Sequence, residues 1–392
     1  MRPILSIIIP TKNRYFYLES CLRSIASQYN KPEIEIIITD NSTHREQIEA
    51  LKLFSNIKYS YFDKPISQVE NFELALEMVT GSYVTMIGDD DGFADILLEV
   101  VDFMKFQNKD ALIAPYVSYY WPDILSKNVI NNFSGKMFHK KYNYSIKDIS
   151  VSKEIDKCLK LGGGSLCNLP RLYYGIIKKE VLNKVKIASG YYFPGPSPDM
   201  ANAFSAAMFT KSLVLFDAPL FIAGNSAKSA AGMGLSGKHV GSIEGNPMLP
   251  ADCHVTWTKL VPKFWSGSTI WAESLLKSTE LTGNFSYVAK FNFARLYADC
   301  LTYHREYNQL IYASIKEYAI SKKTIIVQFT IKIEQLYLLK LRMKFLFINI
   351  YRRLVKSGNL SYSNINNVES AAKLLKKYES KIVDSLKKYE SK

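Results

Sequence analysis

Cysteine is scarce in this 392-residue chain and forms no pattern. Cys21, Cys158, Cys167, Cys253 and Cys300 are odd in number, scattered, and never in C-x-x-C spacing. That argues against a disulfide framework or a zinc knuckle and suits a reducing compartment. Long apolar runs are also missing. No uncharged stretch approaches the ~20 residues of a membrane span. The greasiest region, 324–354, is broken by Lys332, Glu334, Lys340, Arg342, Lys344, Arg352 and Arg353. The N-terminal MRPILSIIIPTKNR has a short apolar stretch before Pro10 and no small-residue cleavage site, so no secretory leader is expected. Gly (19) and Pro (14) are too few for a collagen-like or low-complexity chain.

What is present is ordinary globular material, 47% hydrophobic and 22% charged. At ~150 residues per domain it has room for two to three domains. Basic groups outnumber acidic ones 50 to 36, a net +14, and the excess lies at one end. Residues 301–392 hold 18 basic against 7 acidic side chains, a net +11. This tail closes on a repeat, LKKYESK at 375–381 and again at 386–392. An offset of 11 residues keeps one stripe on one helix face.

The first 115 residues alternate strand and helix. Apolar, β-branched runs predict buried strands over 5–9 and 34–39, with further strands over 57–62 and 83–87. Helical spacing covers 18–27 and 69–79, the second closed by Gly81. This alternation predicts an α/β fold with a mostly parallel sheet flanked by helices, which binds ligands at the carboxyl ends of its strands. Three polar clusters fall there: Pro10-Thr11-Lys12-Asn13, Asp40-Asn41-Ser42 and Asp89-Asp90-Asp91. Adjacent carboxylates repel unless a cation or a donor-rich ligand offsets them, and hard oxygen ligands suit Mg²⁺ or Mn²⁺. The plain alternative is a solvated turn that caps the next helix.

Later segments carry fewer signals. Gly162-Gly163-Gly164-Ser165 lacks the preceding strand and the spacing of a phosphate loop, and is expected as a flexible loop facing an acceptor. A Pro-rich stretch leads through Pro198-Asp199 into an Ala-rich helix from Met200. Residues 231–270 are Gly- and Ser-rich with Trp257 and Trp265, a flexible loop or lid, and 271–392 reads as a helical, basic region. His239 and His254 are lone loop histidines, expected at the surface, with contact to a diphosphate as the alternative; Ser226, Ser229 and Ser236 have no Ser-His-Asp context. In the tail, Leu336, Leu339, Met343, Phe347 and Tyr351 share a helical face among basic groups. That is the pattern of a helix lying on an anionic membrane surface. A solvated charged helix is the default, and packing on a partner or a second subunit is a further reading. Nucleic acid is not expected, because no recognised module accompanies the basic groups.

The ordered set LSIIIPTKNR (5–14), IIITDNS (36–42) and GSYVTMIGDDD (81–91) resembles the family 2 glycosyltransferases of GT-A fold over about the first 100 residues. The resemblance implies a nucleotide-sugar-binding half over 1–115 and an acceptor-binding, catalytic half over 116–270. It implies a nucleoside-diphosphate sugar, UDP-linked, held by Pro10, Thr11, Asn13, Arg14 and Asp40, with Asn71, Asp89 and Asp90 beside them. A divalent cation, Mn²⁺ or Mg²⁺, is implied on Asp91 and Asp89. The sequence departs from the pattern twice. Asp-Asn-Ser replaces Asp-Asp-Gly-Ser, and Gly88 can take the first position of the Asp-x-Asp motif, which leaves its register open within 88–91. Similar enzymes carry an Asp about 100 residues further on, at a helix start, as general base; here that is Asp199. The implied reaction is transfer with inversion to a hydroxyl of a glycan or lipid-linked glycan, as in surface polysaccharide synthesis, in the cytoplasm or at the inner membrane face. A non-catalytic GT-A-like binding or scaffold protein and a nucleotidyltransferase remain as alternatives.

Overall fold

The computed structural model describes residues 2–124, 133–229, 240–246, 248–323, 326–354 and 360–391, without the side chains of 27–28 and 349–354. Thirteen strands appear in chain order among them. They are β1 (Leu5–Thr11), β2 (Ile34–Asp40), β3 (Ile57–Tyr61), β4 (Tyr83–Met86), β5 (Gly92–Phe93), β6 (Ala111–Ile113) and β7 (Tyr116–Tyr120). The remainder are β8 (Lys136–His139), β9 (Ile146–Ile149), β10 (Gly175–Lys178), β11 (Leu213–Phe216), β12 (Phe221–Asn225) and β13 (Leu360–Tyr362). Eight form the main sheet in the order β3-β2-β1-β4-β10-β6-β11-β9; five form a second, β13-β8-β7-β12-β5.

The isoleucine runs account for the centre of the main sheet. Ile7–Ile9 and Ile36–Ile38 are fully buried, as strands covered on both faces must be. β1 and β2 run parallel in a register that ends with Thr11 beside Asp40. β4 lies parallel on the other side of β1, so the Asp89–Asp91 turn leaves the sheet at the same carboxyl edge. β10 then enters antiparallel between β4 and β6, which makes the sheet mixed.

Helix α1 (Tyr15–Tyr29) starts directly after Arg14 and buries Leu18, Cys21, Leu22 and Ile25, the face its periodicity marks. Helix α2 (Gln68–Glu77) opens on a capping box between Ser67 and Glu70. It stops with Met78 as C-cap, so Gly81 does not close it. Gly81 is a close-approach glycine instead. A Cβ there would meet Ser6 Oγ at 2.5 Å and Ser6 N at 2.9 Å, and its amide donates to Glu35 Oε1.

The further helices used below are α3 (Leu97–Phe106), α4 (Val151–Lys160), α5 (Lys179–Ser189), α6 (Pro198–Phe209), α7 (Gly267–Leu281), α8 (Phe293–Tyr303), α9 (Asn308–Lys322), α10 (Val327–Leu354), α11 (Val368–Lys373) and α12 (Glu379–Glu390). Elements α4 and α6 to α10 share a second apolar core, with Phe204, Leu275, Leu296, Ile311 and Ile331 buried in it. Residues 360–390 do not stay with that group. Val368, Leu375, Ile382 and Leu386 are buried in the first core, together with Leu5, Leu18 and Phe103. The span 271–392 is therefore two pieces packed on two cores. The 11-residue repeat explains the return: Leu375 and Leu386, equivalent positions of the repeat, are both buried there.

Candidate active site

The turn after β4 places three adjacent aspartates in three environments. Asp91 is saturated by the protein. Its Oδ1 accepts from the Gly224 amide (2.7 Å) and its Oδ2 from the Gly88 amide (2.6 Å), and the Tyr174 hydroxyl, 3.0 Å from each oxygen, shares its one proton between them. Asp89 accepts from Thr11 Oγ1 at 2.6 Å, and Asp90 from Ser226 Oγ at 2.6 Å. Arg14 spans the pair, with Nη1 3.0 Å from Asp89 Oδ1 and Nη2 2.7 Å from Asp90 Oδ2. Nη2 also donates to Ser226 Oγ, and the guanidinium carbon lies 5.2 Å from the centre of the Tyr17 ring.

The electrostatics follow from burial. Removal from water pushes the carboxyl groups of Asp89 and Asp91 up, against the pull of Arg14 on Asp89. Burial works against the Arg14 charge as well, but Asp89 and Asp90 outweigh it and the guanidinium is held more firmly protonated. One polar atom is left over: Arg14 Nε is buried and makes no hydrogen bond, while Asp89 Oδ1 has only the Arg14 ion pair. A buried donor without a partner in a polar cluster is a place where a ligand oxygen can bind.

Two cavities meet here, sharing Arg14, Gln68, Phe72 and Tyr173 in their walls. The smaller, about 320 Å³, is lined by Pro10, Thr11, Lys12, Asn41, Asn71 and Asp89. The larger, about 640 Å³, is lined by Asp90, Gly164–Leu166, Arg171, Asp199 and Trp271. Of the residues expected at a nucleotide, Pro10, Thr11, Arg14, Asn71 and Asp89 thus wall the first cavity and Asp90 the second. Asn13 and Asp40 line neither. Asp40 Oδ2 accepts from the Tyr15 and Tyr59 hydroxyls at 2.7 and 2.6 Å, and Oδ1 from the Ser42 amide at 2.9 Å. Asn13, with φ of 57°, braces the same loop, its amide on Ser42 Oγ and its Oδ1 on the Thr43 amide.

Asn71 is oriented by its neighbours. Its Nδ2 donates to Thr39 O at 3.3 Å and to Asn41 Oδ1 at 3.2 Å. Both partners are acceptors, so the amide cannot be flipped without loss. Its Oδ1 is buried with no partner.

Asp199 is the second residue of α6, behind Pro198, as the Pro-rich approach predicts. Burial raises its pKa, and Arg171 pulls it back. Gly162 and Gly163, with φ of 60° and 73°, turn the chain out of α4 tightly against α8, where a Cβ on Gly162 would meet Asn292 O at 2.9 Å. The next three residues then reach the larger cavity. His254 lines neither cavity, its Nδ1 lying 3.0 Å from Ala251 O. His239 and Ser236 lie outside the described residues. Where it is described, the expected lid is packed: Trp257 is buried and donates to Val261 O.

Sequence reasoning missed Tyr173, Tyr174, Trp121 and Arg171, and set Ser226 aside. One signal was available for their neighbourhood. Gly224 lies inside strand β12, and a Cβ there would fall 1.8 Å from Asp90 O, which also accepts from Trp121 Nε1. A glycine inside a strand pattern points to close backbone approach.

A divalent cation could take Asp89 and Asp90 in place of Arg14, since the two carboxylates that flank the guanidinium offer hard oxygen ligands. Both oxygens of Asp91, the other expected ligand, already accept hydrogen bonds from the protein. Among the described residues no group of three or more His, Cys, Asp or Glu is disposed to hold a metal ion. The remaining positions would fall to oxygens of a bound ligand.

Comparison with known proteins found a family model, curated relatives and solved structures that the chain resembles. Residues 6–158 match the model of Glycosyl transferase family 2. The chain is 28% identical over 163 residues to the GalNAc(5)-diNAcBac-PP-undecaprenol beta-1,3-glucosyltransferase of Campylobacter jejuni, covering 38% of this chain and 48% of that one. It is 23% identical over 201 residues to Glycosyltransferase GlyG of Streptococcus pneumoniae, covering 49% and 62%. The chain thus spans about half to three-fifths of these relatives. Among solved structures, S. aureus TarS 1-349 in complex with UDP-GlcNAc superposes with a TM-score of 0.45 at 14% identity, covering 85% of this chain and 90% of that one.

Proposed function

We propose that this chain, whose residues 6–158 belong to the family 2 glycosyltransferases, transfers a sugar from a nucleoside diphosphate to a hydroxyl of a lipid-linked glycan. The observation that carries this reading is the meeting of the two cavities at Arg14 and Tyr173. One is furnished for a nucleotide, the other for a hydroxyl and its proton.

The small cavity takes the nucleoside. Asn71 Oδ1, buried and unpaired, suits a ring N–H such as N3–H of uracil. The diphosphate then lies at the junction. Arg14 offers its unused Nε there and can exchange carboxylate for phosphate, since both accept from its planar fork. Asp89 and Asp90 would hold a divalent cation, which supplies positive charge against the leaving diphosphate. In the large cavity Asp199 accepts the proton of the attacking hydroxyl. Its burial strengthens it as a base, while Arg171 keeps its charged form accessible. Attack from the side opposite the diphosphate inverts the anomeric centre. The name of the Campylobacter relative, which includes a PP-undecaprenol-linked glycan, supports the lipid-linked acceptor.

A panel of UDP-sugars with Mn²⁺ and a short polyprenyl-diphosphate glycan tests the reading. The expected result is UDP release and an inverted product, with Asp199→Asn slower by ~10² to 10⁴ at little-changed donor affinity. Inorganic diphosphate from a nucleoside triphosphate would point to a nucleotidyltransferase. Nucleotide binding without turnover would point to a scaffold.

A further inference from the structure

Helix α10 (Val327–Leu354) has two faces with different fates. Val327, Ile331 and Leu338 are buried on the second core. On the same side Glu334 takes Arg295 Nη1 at 3.3 Å and Asn292 Nδ2 at 2.8 Å. The opposite stripe has no such cover. Phe329, Leu336, Met343 and Phe347 are 65, 67, 51 and 63% exposed. Their spacing of seven, seven and four residues places them one above another along the helix. Past Leu338 the helix runs beyond the core, and Phe345 and Leu346 are exposed as well. Contiguous apolar surface of this kind on a protein marks an interaction site.

The charge around the stripe selects the partner. Glu334 is the sole acidic residue in the sequence of α10, and it is engaged inward. Lys332 and Lys340 border the stripe and Lys344 lies further round, all three exposed. A lysine stem can lie along an apolar surface while its ammonium reaches outward to an anion. Large apolar groups with flanking lysines and no acid are the composition of a helix that rests in a lipid interface. No described helix is long and apolar enough to cross a membrane.

We infer that the outer stripe of α10 docks the protein on the surface of an anionic lipid bilayer, the four apolar side chains entering the interface and the lysines meeting the headgroups. This inference goes beyond the cavities and does not rest on the transfer reaction.

Flotation of the full chain with phosphatidylcholine vesicles, with and without phosphatidylglycerol, tests it. Wild type should float with the phosphatidylglycerol vesicles, less so as salt rises, and hardly with phosphatidylcholine alone. Combined Phe329→Ser, Leu336→Gln, Met343→Gln and Phe347→Ser should weaken partitioning about a hundredfold. Combined Lys332→Gln, Lys340→Gln and Lys344→Gln should weaken it by a similar factor, about a hundredfold, at low salt. All seven side chains are exposed, so thermal unfolding should stay unchanged, and the lysine variant serves if the apolar one fails to fold. Wild type that ignores anionic vesicles, or variants that bind as wild type does, overturn the inference. So does a wild-type dimer in light scattering that ignores vesicles and becomes monomeric in the apolar variant, since a second copy then covers the stripe.

Discussion

Arg14 holds two carboxylates together that would otherwise repel. Breaking a buried pair leaves an uncompensated charge and costs about 3–5 kcal/mol, of which Arg14, still partly exposed, should show the lower part. Arg14→Gln should therefore lower the melting temperature. It should also free Asp89 and Asp90 for a cation. Titration of Mn²⁺ followed by electron paramagnetic resonance, without nucleotide, should show binding at least about tenfold tighter than in wild type. Equal Mn²⁺ binding in the two proteins would remove Asp89 and Asp90 as the cation site. Glu273 offers a second test on one side chain. Its Oε1 accepts from Thr258, its Oε2 is buried and unpaired, and burial pushes the carboxyl up to about 7. The folded chain thus keeps a proton that the unfolded chain releases near the ordinary carboxyl range, so stability falls as pH rises from about 4.5 to about 7. Glu273→Gln has no proton to lose. From pH 5 to pH 8 the stability difference should shift in its favour by about 1–3 kcal/mol in urea unfolding. A gap independent of pH would show that Glu273 is ionised throughout.

Elements that carry the site were legible to different degrees. β1, β2 and the inward face of α1 follow from apolar runs and helical spacing alone, and the structure has them with ends shifted by one to a few residues. The start of α6 at Pro198-Asp199 follows from proline at a first helical position. Gly81 was misread because a glycine after a helix usually signals a cap, whereas here contact with β1 requires it. The final elements read only as part of a helical, basic region because their charge is conspicuous and their partner is not. α12 buries Ile382 and Leu386, and Tyr389 meets the ring of Phe103 on α3 edge-on at 5.4 Å. Leu375→Ala and Leu386→Ala should each cost about 2–5 kcal/mol, the range for truncating a buried leucine. Guanidinium unfolding checks this, and a loss below about 0.5 kcal/mol would mean these leucines lie on the surface.

At the scale of the molecule, the return of residues 360–390 ties the end of the chain to its first strands. Deleting 360–392 should expose the apolar faces of α1 and α3 and abolish cooperative unfolding, read as lost near-ultraviolet circular dichroism and gained dye binding. A chain that keeps a sharp transition without this segment would show that it only decorates the core. The sequence by itself determined the strand–helix alternation, the carboxyl-edge placement of the polar clusters, the helical start at Asp199 and the concentration of charge in the tail. Each of these depends on residues within a few positions of one another. Only the tertiary structure decided what the clusters do. Asp91 is saturated by Tyr174 and Gly224, 83 and 133 positions away, and Asp90 is held by Ser226, 136 away. Nothing in local periodicity records such pairs, because they form when sheet order and packing bring separate loops to one edge. The same holds for the tail: charge and spacing mark apolar faces, but which of them a core buries and which stays exposed depends on the space left open by the rest of the fold.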